Sequence, residues 1–203
     1  MLYPLPITIE PHVIRKPNLE VYVPVVVDPK HPQAAERMNH TIQKQVMELI
    51  RTSGYEEDPK NIQVQGWFEI KLNERGYLSL TLSVYDYPYH AAHGMTYQRG
   101  LTFETETGKL LSLPELFKPG APYVDVLSKH VAAQIKERDI ETLEPFKSIR
   151  PDQDFYMTDK ALVLFFQLYE IAAYVYGFLY FPISVYDLKD IKAENGIIDK
   201  LWY

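Results

Sequence analysis

Two alternating runs separated by a short turn form the clearest pattern in this chain. Ile62, Val64, Phe68, Ile70 and Leu72 alternate with Gln63, Gln65, Trp67, Glu69 and Lys71. Beyond Asn73-Glu74-Arg75-Gly76, Leu78, Leu80, Leu82 and Val84 alternate with Tyr77, Ser79, Thr81 and Ser83. A period of two on both sides of a turn predicts a β-hairpin with one dry face and one wetter face. Upstream, Ile7–Arg15 and Leu19–Val27 read as two strands around Lys16-Pro17-Asn18, with Val21, Val23, Val25 and Val27 on one face. Pro24 cannot donate a ladder hydrogen bond, which places the second of these strands at an edge or a bulge.

The period then changes. Ala35, Met38, Ile42, Val46 and Leu49 recur at steps of three and four, so a helix is expected to run from after Asp28-Pro29-Lys30-His31-Pro32 to about Thr52, with Ser53-Gly54 as its stop. A second stripe, Val124, Leu127, Val131 and Ile135, predicts a helix from Gly120-Ala121-Pro122 to about Arg138. A strand carrying Tyr97, Arg99, Leu101 and Phe103 is expected between the two helices, followed by a Thr105–Lys109 turn. Ser112-Leu113-Pro114-Glu115 has the spacing of a capping box. Short strands are expected at Phe155–Met157, Ala161–Gln167 and Tyr180–Ser184, and a helical tail over Lys192–Tyr203. The resulting fold class is α+β: antiparallel sheet with two main amphipathic helices packed on it, in two interlocked subdomains. These are read as 1–88 and 89–191, with a tail at 192–203.

Composition narrows the function classes. The chain has 203 residues, 46% of them hydrophobic, with 16 Tyr and 9 Phe. That suffices for a core and leaves many half-polar aromatics for strands or contact surfaces. The net charge of −6 is spread among both signs. With no basic stripe to track phosphates, nucleic acid is not an expected partner. There are no cysteines, which excludes disulfides, thiolate nucleophiles and cysteine-based metal sites. No apolar run approaches the ~20 residues of a membrane-spanning helix. Met1–Pro6 lacks a basic n-region followed by an apolar h-region. As it stands, the sequence reads as soluble and unexported.

The segment Tyr89-His90-Ala91-Ala92-His93-Gly94 interrupts the β pattern with a loop rich in aromatics and histidine, and irregular segments of this kind often carry function. Two other stretches stand out: Phe155-Tyr156-Met157-Thr158-Asp159 before Leu162-Val163-Leu164, and Tyr169-Glu170-Ile171-Ala172-Ala173-Tyr174-Val175-Tyr176-Gly177 closing on Phe181-Pro182-Ile183. Together the three resemble the RsiV-like domain of unknown function, found at the extracellular end of a lysozyme-responsive anti-sigma factor and before a peptidoglycan deacetylase domain. The resemblance runs over about residues 7–191 and is sharpest in the C-terminal half. It implies a non-catalytic binding or sensing domain for a cell-envelope partner, either a lysozyme-like hydrolase or peptidoglycan. It also implies an extracytoplasmic location, against the cytoplasmic one suggested by Met1–Pro6. The family's glycine-rich lead-in to the loop histidine is His90-Ala91-Ala92 here.

The residues themselves point the same way. The candidate binding set is Tyr87, Tyr89, His90, His93, Tyr97, Tyr169, Glu170, Tyr174 and Tyr176, expected to build one tyrosine-lined platform from two distant irregular stretches. Aromatics supply most of the binding energy at protein interfaces. His90 and His93 with Asp86 fall short of a full ligand set, so no metal and no cofactor are expected. His93 is expected to pin the loop, with Gly94 supplying backbone freedom after it. Glu170 among aromatics could serve as a general acid, but a second group placed for it is not evident, and bonding to backbone N–H groups of an irregular turn is the expected role. No Gly-x-Ser-x-Gly elbow or phosphate loop is present. The alternatives are a cytoplasmic protein making homo-oligomeric or regulatory contacts, and a hydrolase acting through His93, Glu170 or an aspartate. The oligomeric state is not legible.

Overall fold

The computed structural model describes residues 6–202. Met1–Leu5 and Tyr203, which belong to the readings of the N-terminus and the helical tail, lie outside the described residues. The chain is α+β, with a six-stranded sheet in the order β1-β2-β3-β4-β5-β6 and a three-stranded sheet in the order β7-β8-β9. It divides into two compact units, Met1–Leu110 and Leu111–Tyr203. The 88/89 division read from the sequence falls in the connection between two strands paired within the first sheet.

In the first unit, β1 (Thr8–Lys16) and β2 (Leu19–Val27) form a hairpin around Pro17-Asn18. Asn18 has φ 60°, which the short polar side chain of asparagine tolerates. Helix α1 (Pro32–Thr52) then crosses over to β3 (Ile62–Glu74). Its stripe of Ala35, Met38, Ile42, Val46 and Leu49 is buried against the sheet, where Leu78, Leu80, Leu82 and Val84 of β4 (Tyr77–Pro88) face it. The β3–β4 hairpin closes on Arg75 (φ 55°) and Gly76 (φ 84°), the pair of positive φ values of a type I′ turn. Strand β5 (Met95–Glu104) pairs along β4, and β6 (Lys109–Leu110) completes the sheet.

Three details differ from the sequence reading. First, the sheet is mixed: β2 runs parallel to β3, because α1 joins them as a crossover and a hairpin cannot. Second, β2 is an internal strand, yet Pro24 is accommodated. The β2–β3 ladder spans only Leu19–Val21 against Val64–Gly66, and Pro24 lies opposite Pro11 of β1. Neither proline can donate, so this is a non-hydrogen-bonded pair whose missing N–H groups point away from each other. Third, β4 is buried on both faces. Ser79, Thr81 and Ser83 are as buried as the leucines between them. The strand is flanked by β3 and β5, and Ser79 pairs with Thr102 of β5 at 2.8 Å between hydroxyls. A bulge between Ile70 and Leu72 re-aims β3, leaving Ile70 exposed and Leu72 buried.

In the second unit, Ser112 opens a 3₁₀ turn over Leu113–Leu116; its backbone N–H and its hydroxyl both donate to Glu115, at 2.8 and 2.6 Å. Helix α2 (Tyr123–Glu137) buries Leu127 and Val131. Strands β7 (Phe155–Met157), β8 (Ala161–Phe166) and β9 (Leu179–Ser184) form an antiparallel sheet. Gln134 and Arg138 of α2 donate to the carbonyls of Pro182 and Tyr180, which caps the outer edge of β9. A short helix α3 (Ile197–Leu201) buries Ile197, Ile198 and Leu201, so the helical part of the tail is confined to these residues.

Candidate functional site

The candidate residues fall into two clusters, one in each unit. Tyr87, Tyr89, His90, His93 and Tyr97 belong to the first, and Tyr169, Glu170, Tyr174 and Tyr176 to the second.

The first cluster surrounds the β4–β5 connection. Asp86 and Met95 are register partners at the base of the loop. Asp86 is buried, and loss of water pushes its carboxyl above the ordinary range, offset in part by hydrogen bonds from the Met95 N–H and the Tyr97 hydroxyl. Burial, followed by the charge of Asp86, raises the Tyr97 phenol in turn. The loop is tied down by its backbone and by its tyrosines. The N–H of Tyr89 donates to Asn61 O at 2.8 Å, and Tyr87 Oη to Ala91 O at 3.2 Å. Tyr89 Oη reaches Asn18 Oδ1 at 3.4 Å. His90 adopts φ 69°, and His93 Nδ1 lies 3.0 Å from Gly94 O.

Gly94 plays a different part from the one expected. It is buried, and a side chain there would collide with the Asp86 carbonyl and come within 2.5 Å of the Tyr85 ring. The site needs the absence of a Cβ for close approach, and a left-handed φ plays no role. Among the described residues, no group of three or more His, Asp or Glu side chains is arranged to hold a metal ion.

The second cluster is the 169–177 turn. Glu170 Oε2 accepts the N–H of Gln167 at 2.7 Å, the backbone role expected from sequence. Its Oε1 accepts from Arg150 Nη1, a partner that sequence reasoning missed. Arg150 also approaches Asp154 at 3.6 Å, and Gln167 donates to the same carboxylate at 3.1 Å. Beneath them, buried Gln153 donates to Phe165 O at 2.8 Å, while its Oε1 receives the Arg150 N–H at 3.3 Å. With Asp152 at 3.5 Å as well, one arginine thus gathers three carboxylates and fixes the base of the turn to β8. The two partners of the Arg150–Glu170 pair are too far apart along the chain for any spacing rule to announce it.

Above that base, the rings of Tyr169 (φ 63°) and Tyr174 pack at 5.5 Å between centroids, tilted by 37°. Leu143 N–H donates to Ile171 O at 2.9 Å, and Glu141 N–H to Tyr176 Oη at 3.2 Å, which binds the 141–143 segment to the turn. The apolar side chains at this place point outward: Val175 is 87% exposed, Leu143 55% and Tyr169 48%. Sequence reading missed Leu143 and Val175, because one exposed aliphatic residue is ordinary and only the fold assembles several.

Residues 114–186 match the family described as "Protein of unknown function (DUF3298)". The matched segment is a little over a third of the chain. It lies wholly within the second unit and contains the 169–177 turn, whereas the 89–94 loop precedes it. The chain is 36% identical over 119 residues to the anti-sigma-V factor RsiV of Bacillus subtilis (strain 168), covering 53% of this chain and 41% of that protein. The resemblance read from the sequence is thereby borne out. Two solved structures share the fold. A DUF3298 family member from Bacteroides fragilis NCTC 9343 superposes with a TM-score of 0.72 at 12% identity, over 97% of both chains. One from Pseudomonas aeruginosa PAO1 gives 0.66 at 19% identity, over 96% of both.

Proposed function

We propose that this chain is a non-catalytic recognition domain that binds a protein partner of the lysozyme type at the bacterial cell envelope. The observation that carries the reading is the set of exposed apolar side chains on a fixed base, Leu143, Tyr169, Val175 and Tyr176 above the Arg150–Glu170 pair. A protein that exposes apolar groups on a pre-organised turn loses little entropy when a partner covers them. Tyr89, exposed at the β4–β5 loop and anchored through its backbone, is a separate candidate contact on the first unit. His90 accompanies it on the same loop, and Tyr87, His93, Tyr97 and Tyr174 support the contact residues.

Catalysis is the weaker reading. Both oxygens of Glu170 are engaged by Arg150 and the Gln167 N–H, and Asp154 is held by the same arginine. An acid–base pair needs groups open to a substrate. The net charge of −6 favours a cationic protein over an anionic wall polymer, since like charge slows and weakens encounter.

Pull-down on immobilised lysozyme and on purified peptidoglycan tests the proposal. Retention by lysozyme that is lost in Val175→Asp supports it. Retention by neither withdraws it, and self-association lost in the same variant moves the surface to a second copy of the chain.

A further inference from the structure

The first unit contains an open cleft of about 640 Å³ along β1, β2 and β3 that none of the candidate residues lines. It arises because the β2–β3 ladder stops after Val21 and Gly66. Residues in register share a face of the sheet, so Arg15 lies beside Glu20, and Glu20 beside Gln65. Tyr22 and Trp67 come next on their strands, on that same face and in the same cleft. Both rings are unusually open for their size, Tyr22 at 42% and Trp67 at 41% exposure. Gly66 makes the short ladder possible: a Cβ there would come within 2.6 Å of Val21.

The chemistry of the lining selects a ligand class. Two aromatic faces are flanked by the amides of Gln63 and Gln65, which offer donors and acceptors together. Arg15 Nε donates to Glu20 at 2.7 Å and Tyr22 Oη to the same carboxylate at 3.1 Å, so that cation and anion pair off and Lys16 leaves the lining a single positive charge, too little to select a polyanion. Strand addition by a peptide is disfavoured, because Pro24 has no N–H and both backbone groups of Val26 are taken by Asn39 at 2.7 and 2.9 Å. A phosphate polymer would need a basic stripe. What remains is a neutral ligand with apolar C–H faces for the rings and hydroxyls around its edge for the amides. The volume lies in the range of small-ligand sites, roughly 300–1,000 Å³.

We infer that this cleft binds a neutral oligosaccharide, with sugar rings stacked on Trp67 and Tyr22 and hydroxyls bonded by Gln63, Gln65 and the Arg15–Glu20 pair. Asn18, at the edge of the cleft, receives the Tyr89 hydroxyl, so the β4–β5 loop borders the site. The inference goes beyond the protein-binding reading and uses a different set of residues, so either can fail without the other.

The chain has two tryptophans, Trp67 and Trp202. In a Trp202→Phe variant, emission reports on the cleft alone. Titration with chitotetraose and with cellotetraose should give a saturable change in Trp67 emission with at least one of them. Calorimetry on Trp67→Ala and Tyr22→Ala, both at exposed positions and checked for fold by circular dichroism, should show affinity weakened by roughly tenfold or more. Binding of chitotetraose alone assigns an acetamido-bearing glycan; equal binding of both tetramers assigns recognition of hydroxyls and ring faces. No saturable change with either sugar up to about 10 mM would overturn the inference. So would affinity that survives both substitutions.

Discussion

Gly94 sits directly against the backbone carbonyl of Asp86, with the Tyr85 ring closing over its other side. This contact fixes how the β4–β5 loop returns to its sheet. A methyl group added here meets main chain, which cannot rotate away. Gly94→Ala is therefore expected to destabilise the first unit by about 2–3 kcal/mol, lowering Tm by roughly 5–10 °C at 2–4 °C per kcal/mol. A thermal melt checks it. An unchanged Tm would mean the loop rearranges freely.

Asp86 gives the same region a pH dependence. Its carboxyl is raised above the ordinary 3.8, chiefly by burial. A raised carboxyl binds protons more readily folded than unfolded. Its stabilising contribution is thus full below pH 3.8 and is lost as pH climbs through the folded value. Asp86→Asn removes that dependence. Denaturant unfolding should show the Asn variant gaining on the native chain as pH rises above 3.8. A stability difference that is flat with pH would contradict the burial argument.

Arg150 is the node of the second cluster. Arg150→Ala leaves Asp154 and Glu170 without their shared cation, and because the arginine is about half exposed the expected cost is modest, about 1–2 kcal/mol. The sharper readout is local. Amide exchange at Gln167 and Glu170 should accelerate more than in β8. Arg150→Lys should restore little, since an ammonium cannot fork between two carboxylates. Uniform acceleration across the unit would assign Arg150 a global role.

The β3–β4 hairpin offers a gain. Arg75 occupies φ 55° at the first turn position, where asparagine is favoured. Arg75→Asn should stabilise the chain by about 0.5–1 kcal/mol, read from the urea midpoint. A loss would show that the Arg75–Glu74 pair at 3.6 Å outweighs the backbone term.

Elements built from local periodicity were legible in the chain. The period-three-and-four stripe marks α1 over Pro32–Thr52, and the valine alternation marks β2 over Leu19–Val27, although beyond Pro24 the core takes Val26 and leaves the expected Val25 and Val27 half-buried. The resemblance to the RsiV-like domain was legible for the same reason, since it rests on contiguous stretches of the C-terminal half. What depends on residues far apart was not. Parallel pairing of β2 with β3 joins Leu19 to Val64, with the whole of α1 between them, so nothing in either strand announces it. The burial of Ser79, Thr81 and Ser83 reflects strand position within the sheet, which hydrophobicity alone does not encode. Glu170 was legible as an acceptor of backbone N–H, but its arginine was not, because an ion pair across a loop leaves no local pattern. The outward set around Val175 needs the 141–143 segment beside the turn, a relation made only by folding.

The recognition reading stands or falls on Val175. Equilibrium binding of the chain and of its Val175→Asp variant to immobilised lysozyme is the most direct test. Saturable binding by the native chain, lost or weakened by roughly tenfold or more in a variant that still melts normally, is the expected result. No binding by the native chain, or equal binding by both, would contradict a partner-gripping role for this turn.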